Sequence, residues 1–327
     1  MSGAPGEVPS DELADLVARA RAREKQAVSR LIGLFEDTRP AAAADRARVL
    51  DLLDAESGSP CMVLGVTGTP GSGKSSLLAR LTLEMLDAEA DLSIAVLAID
   101  PSSHVSGGAL LGDRTRMRNP LDERRLFFRS QASATELGGL SPSSFQVSRL
   151  LTRLFRCVMV ETVGIGQSEA DIRHLADRVY LVLQPLGGDE VQFLKAGIIE
   201  VPDAFVLNKC DEPAAETSYH HLKGSLGLAR PFDADPPTVH RTSARTGLGV
   251  ADLAAEMIGA IATGTPRSHA EREPHFFERW VTDEWGRQGR RHLVDARGGA
   301  AAYLASEGGF DPAQLAFDGS IRAALGE

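Results

Sequence analysis

The sequence predicts an α/β protein with a mainly parallel sheet flanked by helices, an N-terminal helical segment and a C-terminal helical tail. Two observations carry that prediction. From Cys61 to about Ala262, short apolar runs alternate with helical patterns, as in a parallel sheet with crossover helices on both faces. The whole chain has 327 residues, 43% of them hydrophobic, enough for a sizeable core.

Three segments follow from punctuation. Residues 1–60 form an N-terminal helical segment: Leu13, Leu16, Val17, Ala20, Ala27, Leu31 and Leu34 recur at mostly three- and four-residue steps between charged residues, which predicts one amphipathic helix over 11–34. A second apolar pattern at Val49–Leu53 precedes the break Ser57-Gly58-Ser59-Pro60. Residues 61–264 form the central domain, whose strands read CMVLGVT, SIAVLAID, RLFFRS, CVMVE, VYLVL, DAFVLN and TVHRT. Residues 265–327 form the tail, in which Phe276, Phe277, Trp280, Val281 and Trp285 lie on one helical stripe, either an assembly surface or packing onto the central domain.

Composition excludes several function classes. Forty-five acidic against 35 basic residues leave a net charge of −10, and no Lys/Arg block offsets it, so a nucleic-acid backbone would be repelled. The N-terminus has no basic stretch followed by an apolar run, and no segment approaches the roughly 18 apolar residues of a membrane span, so the expected location is the cytoplasm. Cys61, Cys157 and Cys210 are widely spaced beside apolar strands and read as reduced, buried thiols. The histidines, His220-His221 included, lack metal-ligand spacing.

Gly68-Thr-Pro-Gly-Ser-Gly73-Lys74-Ser75 matches G-x-x-x-x-G-K-[ST], follows the first strand and opens a helix, the context of a phosphate-binding P-loop. Glycines 68, 71 and 73 let backbone N–H groups turn inward, and the helix N-terminus through Ser72 to Ser76 adds its partial positive charge. Lys74 is expected on the β- and γ-phosphates and the Ser75 hydroxyl on Mg²⁺. Asn208-Lys209-Cys210-Asp211 follows a later strand, one strand-and-helix unit before Ser243-Ala244. A carboxylate at Asp211 can accept from guanine N1–H and the exocyclic amine, whereas adenine offers no such pair, so the expected ligands are GTP and GDP.

The strand CVMVE ends on Glu161, where a Walker-B acid belongs, and Gly164 follows where a backbone N–H can sense the γ-phosphate. Gln167 is a loop residue that either orients water or is merely polar. Asp100 ends the second strand and Asp113 follows with Arg114 and Arg116; these are candidates for the Mg²⁺ shell, water activation and charge neutralisation, against helix capping or a solvated face. Gly187-Gly188-Asp189-Glu190-Val191-Gln192 reads first as a helix start with acids in its first turn, and Lys195 as surface charge or function alike.

In order along the chain, DPSS, GG-x-LLGDRTRM, S-x-TELGG, VETVGIGQSE, GGDEVQFLKAG and LNKCD resemble the MeaB/ArgK-type GTPases associated with methylmalonyl-CoA mutase, of the SIMIBI class, over about residues 61–262. The resemblance implies a homodimeric G-protein chaperone that gates adenosylcobalamin delivery to a cobalamin-dependent acyl-CoA mutase. It implies a Mg²⁺ site at Ser75, Asp100, Asp113 and Glu161, phosphates on Lys74, the base on Asn208, Lys209 and Asp211, and a third switch at Gly187–Gln192. Two enzyme-level alternatives share the fold. A nickel-inserting GTPase should carry a His-rich or Cys-containing segment, and none appears; a kinase needs an acceptor pocket and a base, and neither can be pointed to. A nucleotide-gated scaffold with negligible turnover also fits the motifs.

Overall fold

The structure, a computed structural model, describes residues 9–37, 39–55, 60–100, 123–132, 140–162, 168–185, 201–229 and 237–325. They form two compact units, one of residues 61–140 and 155–266, the other of residues 1–60, 141–154 and 267–327.

The first unit holds a seven-stranded sheet: β1 (Met62–Gly68), β2 (Ile94–Asp100), β3 (Leu126–Ala132), β4 (Cys157–Glu161), β5 (Arg178–Leu183), β6 (Ala204–Leu207) and β7 (Thr238–Arg241). Each of the seven apolar runs is a strand. Their order is β3-β2-β4-β1-β5-β6-β7, and every pairing is parallel. The middle strands are buried on both faces, which is why they read as continuous apolar runs rather than alternating ones.

Side-chain alternation divides the core. Leu64, Val66, Tyr180 and Val182 face α4 (Lys74–Ala88) and the helix Val250–Thr263, meeting Leu77, Leu81, Met85, Leu253 and Met257. Leu181, Leu183, Phe205 and Leu207 face the other way, onto Leu222 and Leu226 of the helix Ala215–Ala229. On β1, a Cβ on Gly65 would come within 2.7 Å of Ile172 in the helix Ser168–Leu175, so only glycine lets that helix lie so close.

The second unit is helical. Residues 11–34 do not form one helix; α1 (Ser10–Arg21) and α2 (Lys25–Glu36) are separated at Arg23, whose φ of 58° is left-handed. Arg23 N–H donates to Ala20 O and Glu24 N–H to Arg19 O, closing the first helix, while the Glu24 carboxylate accepts from Arg19 Nε at 2.8 Å. The periodicity is real, but a single left-handed residue folds it in two, so the apolar stripes of both helices are buried.

After α3 (Pro40–Asp54), the chain returns to this unit with α5 (Pro142–Leu154) and the tail helices His269–Arg291, Ala300–Glu307 and Phe310–Leu325. Phe276, Phe277 and Val281 are fully buried. Phe276 stacks on Phe145 at 4.6 Å, and Phe277 meets Phe310 and Phe317 edge-on. These three residues of the stripe therefore pack inside the helical unit, with partners from α5 and the tail itself, while Trp280 and Trp285 stay partly exposed. Asp311 is buried between two arginines, accepting from Arg46 Nε at 2.8 Å and Arg149 Nη1 at 2.6 Å.

Candidate functional site

The phosphate loop joins β1 to α4, and its conformation explains its glycines. Gly68, Gly71 and Gly73 have φ of 146°, 80° and 84°. A Cβ on Gly68 would lie 2.0 Å from the Val182 carbonyl oxygen, and one on Gly73 would lie 2.7 Å from Asn208 Nδ2. Lys74 is buried, and its Nζ donates to the carbonyls of Gly68 at 2.8 Å and Thr69 at 3.1 Å, so the ammonium lies across the loop's own mouth. The Ser72 side chain is fully buried, and its hydroxyl has no hydrogen-bond partner among the described residues.

Ser75 Oγ donates to Glu161 Oε1 at 2.7 Å, joining the start of α4 to the end of β4. Asp100, buried at the end of β2, accepts a short hydrogen bond from Ser130 on β3. Register pairs Ala98 with Glu161, which leaves Asp100 two residues further along the neighbouring strand. Among the described residues no three His, Cys, Asp or Glu side chains cluster as a metal site. The set at hand is oxygen-only, a hydroxyl touching a carboxylate, which fits Mg²⁺, an ion that takes one or two protein oxygens and fills its octahedron with phosphate and water. Asp113, Arg114, Arg116, Gly164, Gln167 and the Gly187–Gln192 segment with Lys195 lie outside the described residues.

Asn208 joins the phosphate loop to the second loop. It is buried; its Nδ2 donates to Ser72 O at 2.8 Å, and its Oδ1 accepts from Ala244 N at 3.1 Å and Thr242 Oγ1 at 3.3 Å. Lys209 has left-handed backbone, φ 58°, and its Nζ donates to Gln184 Oε1 at 2.6 Å. Asp211 accepts from Ser243 Oγ on Oδ1 and pairs with Arg245 on Oδ2. The Ser243 hydrogen bond, with Arg245 adding to it, holds the Asp211 carboxyl below its ordinary range, so it is ionised at neutral pH. Between these groups lies a cavity of about 380 Å³, lined by Gly73, Ser76, Asn208, Lys209, Asp211 and Ala244 among others.

The structure thus gathers Gly68 to Ser76 with Glu161 at one end, and Asn208, Lys209, Asp211, Ser243 and Ala244 at the other. Sequence reasoning missed Ser130, Gln184, Arg245 and Arg80, whose Nη1 donates to the Ala244 and Arg245 carbonyls at 3.3 Å. Arg245 directly follows Ser243-Ala244 and was findable by adjacency; the others are brought in only by folding. None of the three cysteines is in a disulfide; Cys61 and Cys157 are buried, whereas Cys210 is only half-buried because it sits in the loop rather than the strand.

A parallel sheet in this order, a phosphate loop after its first strand and an Asn-Lys-x-Asp loop after its sixth together define a P-loop GTPase fold. The family model described as methylmalonyl-CoA mutase-associated GTPase MeaB matches residues 28–282, and the chain belongs to that family. A Pyrococcus horikoshii relative is 38% identical over 251 residues, covering 75% of each chain. The GTPase ArgK of Escherichia coli is 35% identical over 246 residues, covering 74% of this chain and 73% of its own. The mitochondrial methylmalonic aciduria type A homolog of Mus musculus is 36% identical over 195 residues, 58% of this chain and 46% of its own. Among solved structures, a LAO/AO transport system kinase aligns with TM-score 0.63 and 25% identity, covering 90% of this chain and 89% of its own.

Proposed function

We propose that the chain binds and hydrolyses GTP as a chaperone that gates adenosylcobalamin loading and protection of a cobalamin-dependent acyl-CoA mutase, methylmalonyl-CoA mutase or a relative. The observation that carries the nucleotide half is Asn208, which ties the Ser72 carbonyl to the Ala244 amide and so sets the carboxylate of Asp211 beside the phosphate loop. Family membership carries the chaperone half, and the mouse relative, a methylmalonic aciduria type A homolog, is consistent with it.

In this reading Gly68, Gly71, Ser72, Gly73 and Ser76 cradle phosphate, and Lys74 leaves its loop carbonyls for the β- and γ-oxygens. Ser75 and Glu161, already in contact, would hold Mg²⁺, to which Asp100 and Asp113 would add, and Gly164 would meet the γ-phosphate. Mg²⁺ would neutralise charge developing on the transferred phosphoryl group as water attacks in line. Asn208, Lys209, Asp211, Ser243 and Ala244 receive the base. The working form is a homodimer in the cytoplasm, and the Gly187–Gln192 segment reports nucleotide state to the mutase.

The test measures GTP hydrolysis by the full chain alone and with cobalamin-dependent mutases in apo and holo forms. Expected are slow intrinsic turnover, stimulation by the client, loss of turnover in Lys74→Ala and loss of guanine preference in Asp211→Ala. No stimulation by and no complex with any mutase would remove the chaperone reading. Wild-type turnover in Lys74→Ala would remove the phosphate-loop assignment.

A further inference from the structure

Asp211 is the carboxylate expected to read the base, yet a carboxylate on a loop can turn about its own Cβ–Cγ bond. To meet two N–H groups of one planar base, both oxygens must be held in that plane. The structure holds each oxygen separately. Ser243 Oγ donates to Oδ1, and Arg245 pairs with Oδ2.

These donors are themselves built into a tight turn. The Ser243 hydroxyl accepts from Thr246 N at 3.1 Å, which fixes its proton toward Asp211. Gly247 N–H donates to Ser243 O at 2.8 Å, and Ser243 N–H to Leu248 O at 2.9 Å. Arg80, on the helix that begins at the phosphate loop, staples the Ala244 and Arg245 carbonyls at 3.3 Å. It fits because Gly247, at φ 89°, has no Cβ; one there would lie 2.4 Å from the Arg80 guanidinium. The backbone of Arg245 is thereby fixed, and its side chain, 77% exposed, reaches over Asp211, whose side chain is only 14% exposed. Arg245 also lines the cavity beside Asp211.

An ionised carboxylate offers about four acceptor positions, two per oxygen. Ser243 and Arg245 use one on each oxygen, which leaves one on each for a base. Guanine brings two donors, N1–H and the exocyclic amine on either side of C2, and fills both; adenine brings no such pair.

We propose that Arg245 is a specificity-determining residue, whose guanidinium holds the Oδ2 side of Asp211 so that both carboxylate oxygens meet a guanine base at once. This rests on the guanine reading above. Arg245 acts through Asp211 and positions it, so its removal weakens guanine nucleotides selectively and leaves adenine nucleotides unmoved. A lysine keeps the charge but lacks the planar fork, so it restores the effect only in part.

The experiment titrates GDP and ADP against full-length wild type, Arg245→Ala, Arg245→Lys, Asp211→Ala and the Arg245→Ala/Asp211→Ala double variant, with thermal unfolding run alongside to confirm that each variant folds. Expected is a drop in GDP affinity of about three- to tenfold in Arg245→Ala with ADP unchanged. Arg245→Lys should lie between, and the double variant should discriminate no worse than Asp211→Ala alone. Tighter GDP binding in Arg245→Ala would mean that the guanidinium competes with the base, and equal losses for GDP and ADP would mean that it is only a wall; either overturns the proposal. If wild type itself does not prefer GDP to ADP, the guanine reading fails first, an outcome visible without any Arg245 variant.

Discussion

Replacing Asn208 with alanine removes one side chain and opens three hydrogen bonds at once. The Ser72 carbonyl loses its donor at 2.8 Å, the Ala244 amide its acceptor at 3.1 Å and the Thr242 hydroxyl its acceptor at 3.3 Å. Stripping a buried polar group costs about 1–3 kcal/mol. Ser72 is fully buried and bears that cost in full, Ala244 is half-exposed and recovers part of it from water, and the Thr242 hydroxyl can rotate. The expected loss is about 2–4 kcal/mol, a large share of the roughly 5–15 kcal/mol that holds a typical protein folded. Because the lost bonds join two loops, GDP affinity should fall as well, and hydrogen exchange should rise at both the phosphate loop and residues 243–245. Asn208→Asp keeps the Oδ1 acceptor but sets a buried carboxylate oxygen against the Ser72 carbonyl, so it should loosen the phosphate loop at least as much as Asn208→Ala while protecting the Ala244 amide. A stability loss below about 0.5 kcal/mol together with unchanged GDP affinity in Asn208→Ala would refute the bridging role.

Other perturbations test other parts of the molecule. Gly68→Ala sets a Cβ 2.0 Å from a backbone oxygen that has no flexible side chain to give way, so nucleotide binding should be lost in an equilibrium titration. Phe277→Ala empties a fully buried site between Trp280, Tyr303, Phe310 and Phe317 and should lower stability by about 3–5 kcal/mol in urea unfolding, with the loss in the helical unit. His269 is pushed down to about 3, by burial first and then by Arg153, Arg149 and Arg272, while the unfolded chain takes up that proton near pH 6.5. The folded value lies below the unfolded one, so this contribution to stability is complete above about pH 6.5 and is lost as pH falls toward 3. Urea midpoints measured from pH 7.5 to 4.5 should fall less steeply in His269→Gln than in wild type, and equal slopes would count against a neutral buried imidazole.

The two halves of the nucleotide site were legible for different reasons. Gly68 to Ser75 is a contiguous stretch in which each residue type answers a local demand, so its chemistry is written where it acts. The five inner strands were legible because a strand buried on both faces must be apolar along its length, whereas the edge strands β3 and β7, only partly buried, were legible from their place in the alternation of strands and helices. The base loop was half legible. Asn208, Lys209 and Asp211 stand together, but Arg245, Gln184 and Arg80 carry no motif and matter only through what the fold sets beside them.

The helical unit shows the opposite limit. Periodicity in residues 11–34 was correct and the single helix drawn from it was not, because one left-handed residue, Arg23, reverses the chain without disturbing the apolar spacing. The tail's aromatic stripe was visible, but its partner was not: Phe145 comes from a helix between two strands of the sheet, more than 120 residues earlier in the chain. By itself, then, the sequence determined the sheet, the phosphate loop and the residue types of the base loop, since each follows from local sterics, charge and burial. Only the tertiary structure decided that Asn208 couples the two loops, that Arg245 closes on Asp211 and that the termini build one helical core, because those contacts lie between residues distant in the chain and leave no periodic trace in it.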